Sequence, residues 1–348
     1  VFQWLGPFFE NNNNLSELKV YGCNFGVGSA RQLSLAIQVC SKSLKSIKLE
    51  HNQMGDEQLT DVFEAMAMHP QLEELFLPGM NIGRNECIAL ANLVRSTTTR
   101  LEDLNLDSNA IDDEGVDALM DALTGSSLLC LGLSLNHNIT VTGLQSLAAL
   151  LEHPNSNLEM LFLYDNNIGD AGARIFANAL ATNCKLKILY LSNNGISAGG
   201  WPCFSKVLCD TSSINKTFLS NHTLESLGGA PNIPADVASS LALNMGGGKR
   251  QVAIKKILKH HQHFDMHPFF EWDLKVWPIA INWFKRARSV VDNNNDDDDE
   301  YEDDSDENYS DESDENNDWA GIDNHKLGVI YQFIRAMPEV FEPAPAAS

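Results

Sequence analysis

The chain has 348 residues, 43% of them hydrophobic, which is enough for a buried core, and a formal net charge of −23. That charge excludes binding of nucleic acid or an anionic membrane by the surface as a whole. Sixteen of the 47 acidic residues lie within 292–318, so the remainder of the chain carries only about −7. The seven cysteines are odd in number, scattered, and contain no CxxC pair. This pattern predicts reduced thiols in an intracellular protein of the cytoplasm or nucleus, with the sequons at Asn138, Asn215, Asn221 and Asn308 unused. No stretch is long and apolar enough to span a membrane as a helix.

In chain order, residues 1–10 (VFQWLGPFFE) read as the tail of an earlier helix, and 11–14 as a polar turn. The first residue is Val, not Met, which leads us to expect a fragment of a longer chain. The next pattern is clearest in residues 101–123, LEDLNLDSNAIDDEGVDALMDAL. Leu occupies positions 1, 4 and 6, Asn109 position 9, Ile111 position 11 and Gly115 position 15. The first half alternates as a short strand does, and Leu119 and Leu123 continue at helical spacing. Between them, Asn109 can turn its amide inward onto backbone that a tight bend leaves unpaired. A strand, a turn and a helix this short cannot bury an apolar face alone and must stack on copies.

Copies of the frame begin at Leu15, Leu44, Leu72, Leu101, Cys130, Leu158, Leu186 and Ile214, always 28 or 29 residues apart. Position 9 is Asn in Asn52, Asn109, Asn138, Asn166 and Asn194, and Cys23, Met80 or His222 in the other three. These residues resemble the leucine-rich repeat family, in its ribonuclease-inhibitor-like class with long repeats and true helices. The resemblance covers 15–224. It implies an α/β solenoid: a horseshoe with a concave parallel sheet and convex helices. A helix about 10 Å wide behind strands about 4.8 Å apart forces that curvature. Helices are expected at 172–180 and 200–208, and a compressed turn between Asn138 and Gly143.

Past residue 224 the frame fails. A loop is expected at 228–234, then helix over 235–263 broken at 246–248, and a further helix from Pro268 to about 288, kinked at Pro278. The aromatic run from Phe269 to Phe284 suits a lid over the last repeat, since solenoid ends need capping. The wording KKILKHHQHFDMHPFFEW also resembles the C-terminal segment of a group of protist intracellular leucine-rich repeat proteins. Residues 290–318 are rich in Asn and Asp, without apolar periodicity, and read as disordered. Leu327, Ile330, Phe333, Ile334 and Met337 make one helical face. The expected organisation is therefore a remnant at 1–14, an eight-unit array at 15–224, a helical C-terminal cap at 225–289, an acidic loop at 290–318, a final cap helix at 319–341 and a frayed end at 342–348.

Little in the chain looks catalytic. His260, His261, His263 and His267 with Asp265 lack the spacing of a zinc motif and read as a basic helix end. Gly246 to Lys249 lacks the GxxxxGK[ST] pattern of a phosphate loop. Asp112, Asp113 and Glu114 fall where a helix dipole favours negative charge. We therefore expect no catalytic residue, no cofactor and no metal. Strand positions 3, 5, 7 and 8 point away from the core. Position 5 reads Lys19, Lys48, Phe76, Asn105, Ser134, Phe162, Tyr190 and Phe218, and position 7 adds Tyr21 and Tyr164. Aromatics there serve either cross-strand pairing or a binding patch. The patch would comprise Phe76, Met160, Phe162, Tyr164, Asp165, Tyr190, Asn193 and Phe218. The expected function is a non-enzymatic, monomeric scaffold binding a protein or peptide on the concave face, with no nucleic acid, membrane or small-molecule substrate. The alternative is a GTPase activator: Ran GTPase-activating proteins resemble this chain in combining the same repeat class with an acidic stretch.

Overall fold

The computed structural model describes residues 14–40, 43–95, 100–229, 233–245 and 247–261. The remnant helix, the lid helix from Pro268, the acidic run and the final helix lie outside the described residues. Seven strands, β1 (Glu17–Tyr21), β2 (Ser46–Glu50), β3 (Glu74–Phe76), β4 (Asp103–Asn105), β5 (Cys130–Gly132), β6 (Met160–Phe162) and β7 (Ile188–Tyr190), form one parallel sheet in sequence order. Helices follow them in turn: α1 (Val27–Val39), α2 (Asp56–Met66), α3 (Arg84–Arg95), α4 (Asp113–Leu123), α5 (Val141–Glu152), α6 (Gly169–Leu180) and α7 (Pro202–Leu208). Each βα unit packs its helix on the helices of its neighbours.

The sheet buries one face only. Leucines at positions 4 and 6, such as Leu104, Leu106, Leu161 and Leu163, are 0% exposed and join one core with the helix-borne Phe63, Phe176 and Phe204. Full burial of each such side chain contributes about 1.5–3 kcal/mol. In the fourth to seventh repeats a glycine at or just before the start of the helix (Gly115, Gly143, Gly172 and Gly200) lets it approach the preceding repeat. A Cβ on Gly172 would lie 2.5 Å from Ile168 Cγ2 and from Leu144 Cδ1.

The turns are held by asparagine. Asn109 Oδ1 accepts the amides of Met80 and Ile82 at 2.9 and 3.0 Å, and its Nδ2 donates to the carbonyls of Leu77 and Leu106. Farther along, the amide of Asn136 donates to Asn166 Oδ1 (2.7 Å) and that of Asn166 to Asn194 Oδ1 (2.9 Å). Asn52 likewise accepts the amide of Cys23 at 2.8 Å. Where a repeat has Cys23 or Met80 at position 9, the next repeat's asparagine still holds its amide.

Two repeat registers differ from expectation. In the fifth repeat Asp103 pairs with Cys130 and Asn105 with Gly132, so Cys130 stands at position 3 and the frame begins at Leu128. The inward asparagine is Asn136, which is 0% exposed, while Asn138 is exposed. Leu131, Leu133 and Leu135 alternate, so a slip of two residues keeps every side chain on its face. The turn before Gly143 is also one residue longer than its neighbours, not compressed.

The eighth repeat begins at Leu224, not Ile214. Ile188 bridges Ser226, the amide of Glu225 donates to the Lys187 carbonyl at 2.7 Å, and that of Leu189 donates to Ser226 at 2.9 Å. Asn221 repeats the role of Asn183, each accepting the amide three residues on, from Leu224 and Leu186. The delay is a ten-residue insertion, Asp210–Leu219, which belongs to a second compact unit and contains helix α8 (Ile214–Leu219). After the eighth repeat, α9 (Ala235–Asn244) packs against α7, and Asn244 Nδ2 donates to the Leu224 carbonyl at 2.6 Å. Helix α10 (Lys249–His260) continues into the second unit. There Phe218 packs with Ile214 and Ile257 and with Ala253 and Ile254, and Thr217 Oγ1 lies 2.8 Å from His261 Nε2.

Candidate binding surface

The sheet face turned away from the helices gathers positions 3, 5 and 7 of each repeat into three rows. Its N-terminal part is ionic. Lys48 Nζ lies 3.0 Å from Glu17 and 3.2 Å from Glu74, and 5.1 Å from the centre of the Phe76 ring. Lys19 pairs with Glu50 at 3.0 Å. The hydrogen bond that the Lys48 ammonium donates to Glu17 is the main cause raising it above its ordinary value; a hydrogen bond from Ser46 is the main one holding the Glu74 carboxyl below its own.

Aromatic residues dominate the C-terminal part. Phe162 and Tyr190 are in register on β6 and β7, with ring centres 5.0 Å apart and planes at 87°. Tyr164, two residues beyond Phe162, has its hydroxyl 2.9 Å from Asn193 Nδ2, which donates to it. Tyr190 is 38% and Tyr164 40% exposed, and Met160 and Ile188 are half-buried beside them. Of the sequence-predicted patch, Met160, Phe162, Tyr164, Asp165, Tyr190 and Asn193 are thus brought together.

Phe76 is not part of that group: Asn105 and Gly132 stand between it and Phe162 in the same row, and it faces Lys48. Phe218 does not lie on the sheet at all. It is on α8, because the insertion shifts the eighth strand by ten residues. With Ser134 moved to position 7, position 5 of the fifth repeat is Gly132.

Position 8 has a property that the sequence pattern did not announce. It adopts a left-handed backbone in all seven repeats from the first: Gly22, His51, Gly79, Ser108, Leu135, Asp165 and Asn193 have φ between 52° and 66°. Only glycine takes this conformation freely. The bend lifts Asn193 to reach Tyr164.

Between the two parts, β4 and the residues just past it present Asp103, Asn105 and Asp107. The Asp107 carboxylate accepts from the amide of Ser134 at 2.6 Å and from Asn105 Nδ2 at 3.1 Å, and Asn105 Oδ1 accepts the Asp107 amide. Burial is the first cause pushing both Asp103 and Asp107 above the usual carboxylate range; it also pushes the Cys130 thiol up to about 12. All seven cysteines are free. The acidic residues before α4 have structural partners: Asp112 caps the helix by accepting from Gly115, and Asp113 accepts from Thr140 and Gly143 of the next repeat. Among the described residues no group of three or more His, Cys, Asp or Glu is placed to hold a metal ion, and no helix is long and apolar enough to cross a membrane. His263, Asp265 and His267 lie outside the described residues.

The leucine-rich repeat family model matches residues 99–120 and 182–200. The chain is 30% identical over 175 residues to NACHT, LRR and PYD domains-containing protein 4E of Mus musculus, covering 49% of this chain and 17% of that protein. It is 31% identical over 166 residues to ribonuclease inhibitor of Sus scrofa, covering 46% of this chain and 35% of the inhibitor. The matched stretch is therefore well under half the length of these relatives. Matching repeats, an open parallel sheet in sequence order and the inward asparagines agree. The chain folds as a leucine-rich repeat solenoid, and its repeats are similar to those of the ribonuclease-inhibitor-like class.

Proposed function

We propose that this chain is a non-enzymatic scaffold that holds a protein or peptide on the C-terminal part of its strand face. One observation carries the reading: the exposed Tyr164 and Tyr190 gather around the half-buried Phe162 on the strand face, where the core does not require aromatics. Aromatic anchors edged by polar groups, here Asp165 and Asn193, are what binding hot spots are made of. The relatives' possession of the same repeats supports a binding role, because this architecture offers a rigid extended surface.

The test is Tyr190→Ala. Peptides are selected from a displayed random library on the intact chain, and their affinity is measured for both proteins together with thermal unfolding. A hot-spot tyrosine costs about 2 kcal/mol of binding, roughly thirtyfold in Kd, on truncation. A ring that only braces the sheet leaves binding intact and costs up to about 1 kcal/mol of stability instead. Binders that all ignore Tyr190 would overturn the reading.

A further inference from the structure

On the sheet face from β4 to β7 the two walls differ. One wall is apolar: Met160 and Phe162 on β6 and Tyr164 just past its end, with Tyr190 behind them. Opposite stand Asp103 on β4 and Asp107 two residues past its end. The strand between them is low, because its outward residues are Cys130, Gly132 and Ser134. Across Gly132, the backbones of Asn105 and Phe162 are two strand spacings, about 10 Å, apart. A larger residue there would press on its neighbours. A Cβ on Gly132 would lie 3.0 Å from Asp107 Oδ1 and 3.3 Å from Asn105 Cγ, so the Asp107–Asn105 pair leans over β5 toward the aromatic wall.

Charge pairing separates these two carboxylates, together with Asp165 beside the aromatic wall, from the carboxylates of β1–β3. Glu17, Glu50, Glu74 and, at the edge of the sheet, Glu159 each lie within 3.2 Å of a lysine. Neither Asp103 nor Asp107 has a Lys or Arg within ion-pair distance among the described residues. Both are partly buried, and Asp107 is fixed by the Ser134 amide and the Asn105 side chain. A fixed, partly desolvated anion beside an aromatic surface suits a side chain with an apolar stem and a cationic head.

Resting on the scaffold reading above, we propose that the partner segment is basic. Its Arg or Lys heads seat on Asp103 and Asp107 and their stems lie against Met160, Phe162 and Tyr164. Two cations at these aspartates would be about 13 Å apart, four residues of an extended peptide. A second copy of this chain is the wrong occupant by charge, since both carry −23.

The same displayed-peptide selection on the full chain tests this. Enriched peptides should carry Arg or Lys next to an apolar residue. Asp107→Asn and Asp103→Asn should each weaken them at least tenfold, whereas Glu64→Gln, the same charge loss on the helix side, should change affinity less than twofold. Two aspartate variants keep the test sound if one folds poorly, which thermal unfolding reports. Peptides that depend on Tyr190 yet lack basic residues, or ignore both aspartates, overturn the basic partner and leave the scaffold reading standing. Peptides indifferent to Tyr190, or no enriched peptide at all, overturn both.

Discussion

The two ends of one sheet solve the same problem differently. On β1–β3 the outward row is Lys19, Lys48 and Phe76, and each charge there is answered by a neighbouring strand. On β6–β7 the outward residues are Phe162, Tyr164 and Tyr190, and the surface they expose is answered by nothing within the sheet. Beneath them the turn ladder differs in the same sense. Between the second and third repeats it is interrupted by Met80, whereas Asn136, Asn166 and Asn194 form an unbroken run. The part that is stiffest in its turns is thus the part left open on its face, which is the combination a preorganised binding surface needs.

That contrast can be broken at the ladder first. Asn166→Ala leaves the fully buried Asn136 amide without its partner, while the carbonyls of Leu133 and Leu163 keep the side-chain amides of Asn136 and Asn194. An orphaned buried group costs about 1–3 kcal/mol, and with Asn136 out of reach of water the expected loss is at the upper end, about 3 kcal/mol. Asn52→Ala, which frees only the Cys23 amide and the Val20 carbonyl near the array's edge, should cost about 1–2 kcal/mol. Chemical denaturation of the two variants measures the difference, and equal losses would erase it.

Next in size is the close approach of helices. Gly172→Ala should cost about 1–3 kcal/mol by overpacking Leu144 and Ile168. Gly115→Ala, whose nearest neighbours would be 3.2–3.3 Å away, should cost less. Denaturation midpoints again decide.

Ionic substitutions should have the least effect. Lys48→Met removes exposed or half-exposed pairs and should cost at most about 1 kcal/mol, an effect that shrinks further in high salt. Asp103 tests the boundary between the two parts through pH. Its neighbours Glu74, Asp107, Cys130 and Lys48 act on it, but burial dominates and raises it. The ionised form is therefore the costly one in the fold. That cost is present above the raised folded value, declines as pH falls through it, and is gone below the unfolded value of about 3.9. Asp103→Asn should raise the melting temperature at pH 7, by on the order of 1 °C, and the gain should vanish near pH 4. A gain that grows on acidification would contradict the sign.

Most of the array was legible because leucine at positions 4 and 6 and asparagine at position 9 are each demanded by burial in one orientation. The fifth repeat misled because LLCLGLSLNHN fits the pleat in two registers and offers two asparagines, Asn136 and Asn138, for one role. In the eighth, a constant period hid the insertion. The recurrence of Asn183 at Asn221, three residues before a leucine, was the available signal. Phe162, Tyr164 and Tyr190 could be found by spacing alone, since aromatics at outward strand positions have no core to fill. Asp103 and Asp107 could not. Their distinction from Glu17 or Glu74 lies in which neighbours happen to be lysine and how far a flanking glycine lets a side chain lean.

The asparagine bonds also have a direction. Each side chain reaches back to the repeat before it: Asn52 to Cys23, Asn109 to Met80, Asn166 to Asn136, Asn194 to Asn166. In this asparagine series a repeat's turn is finished by its successor, whereas Asp107, Asp113 and Asp170 hold amides of the repeat that follows them. Along the asparagine ladder, dependence therefore runs from the C-terminal side toward the N-terminal side. The backbone amides of Cys23, Met80, Asn136 and Asn166 act as a chain of sentinels, each sheltered only while the following turn is in place. Fraying that starts at the C-terminal side would announce itself one amide ahead of its advance, whereas fraying from the N-terminal side would leave the remaining sentinels sheltered.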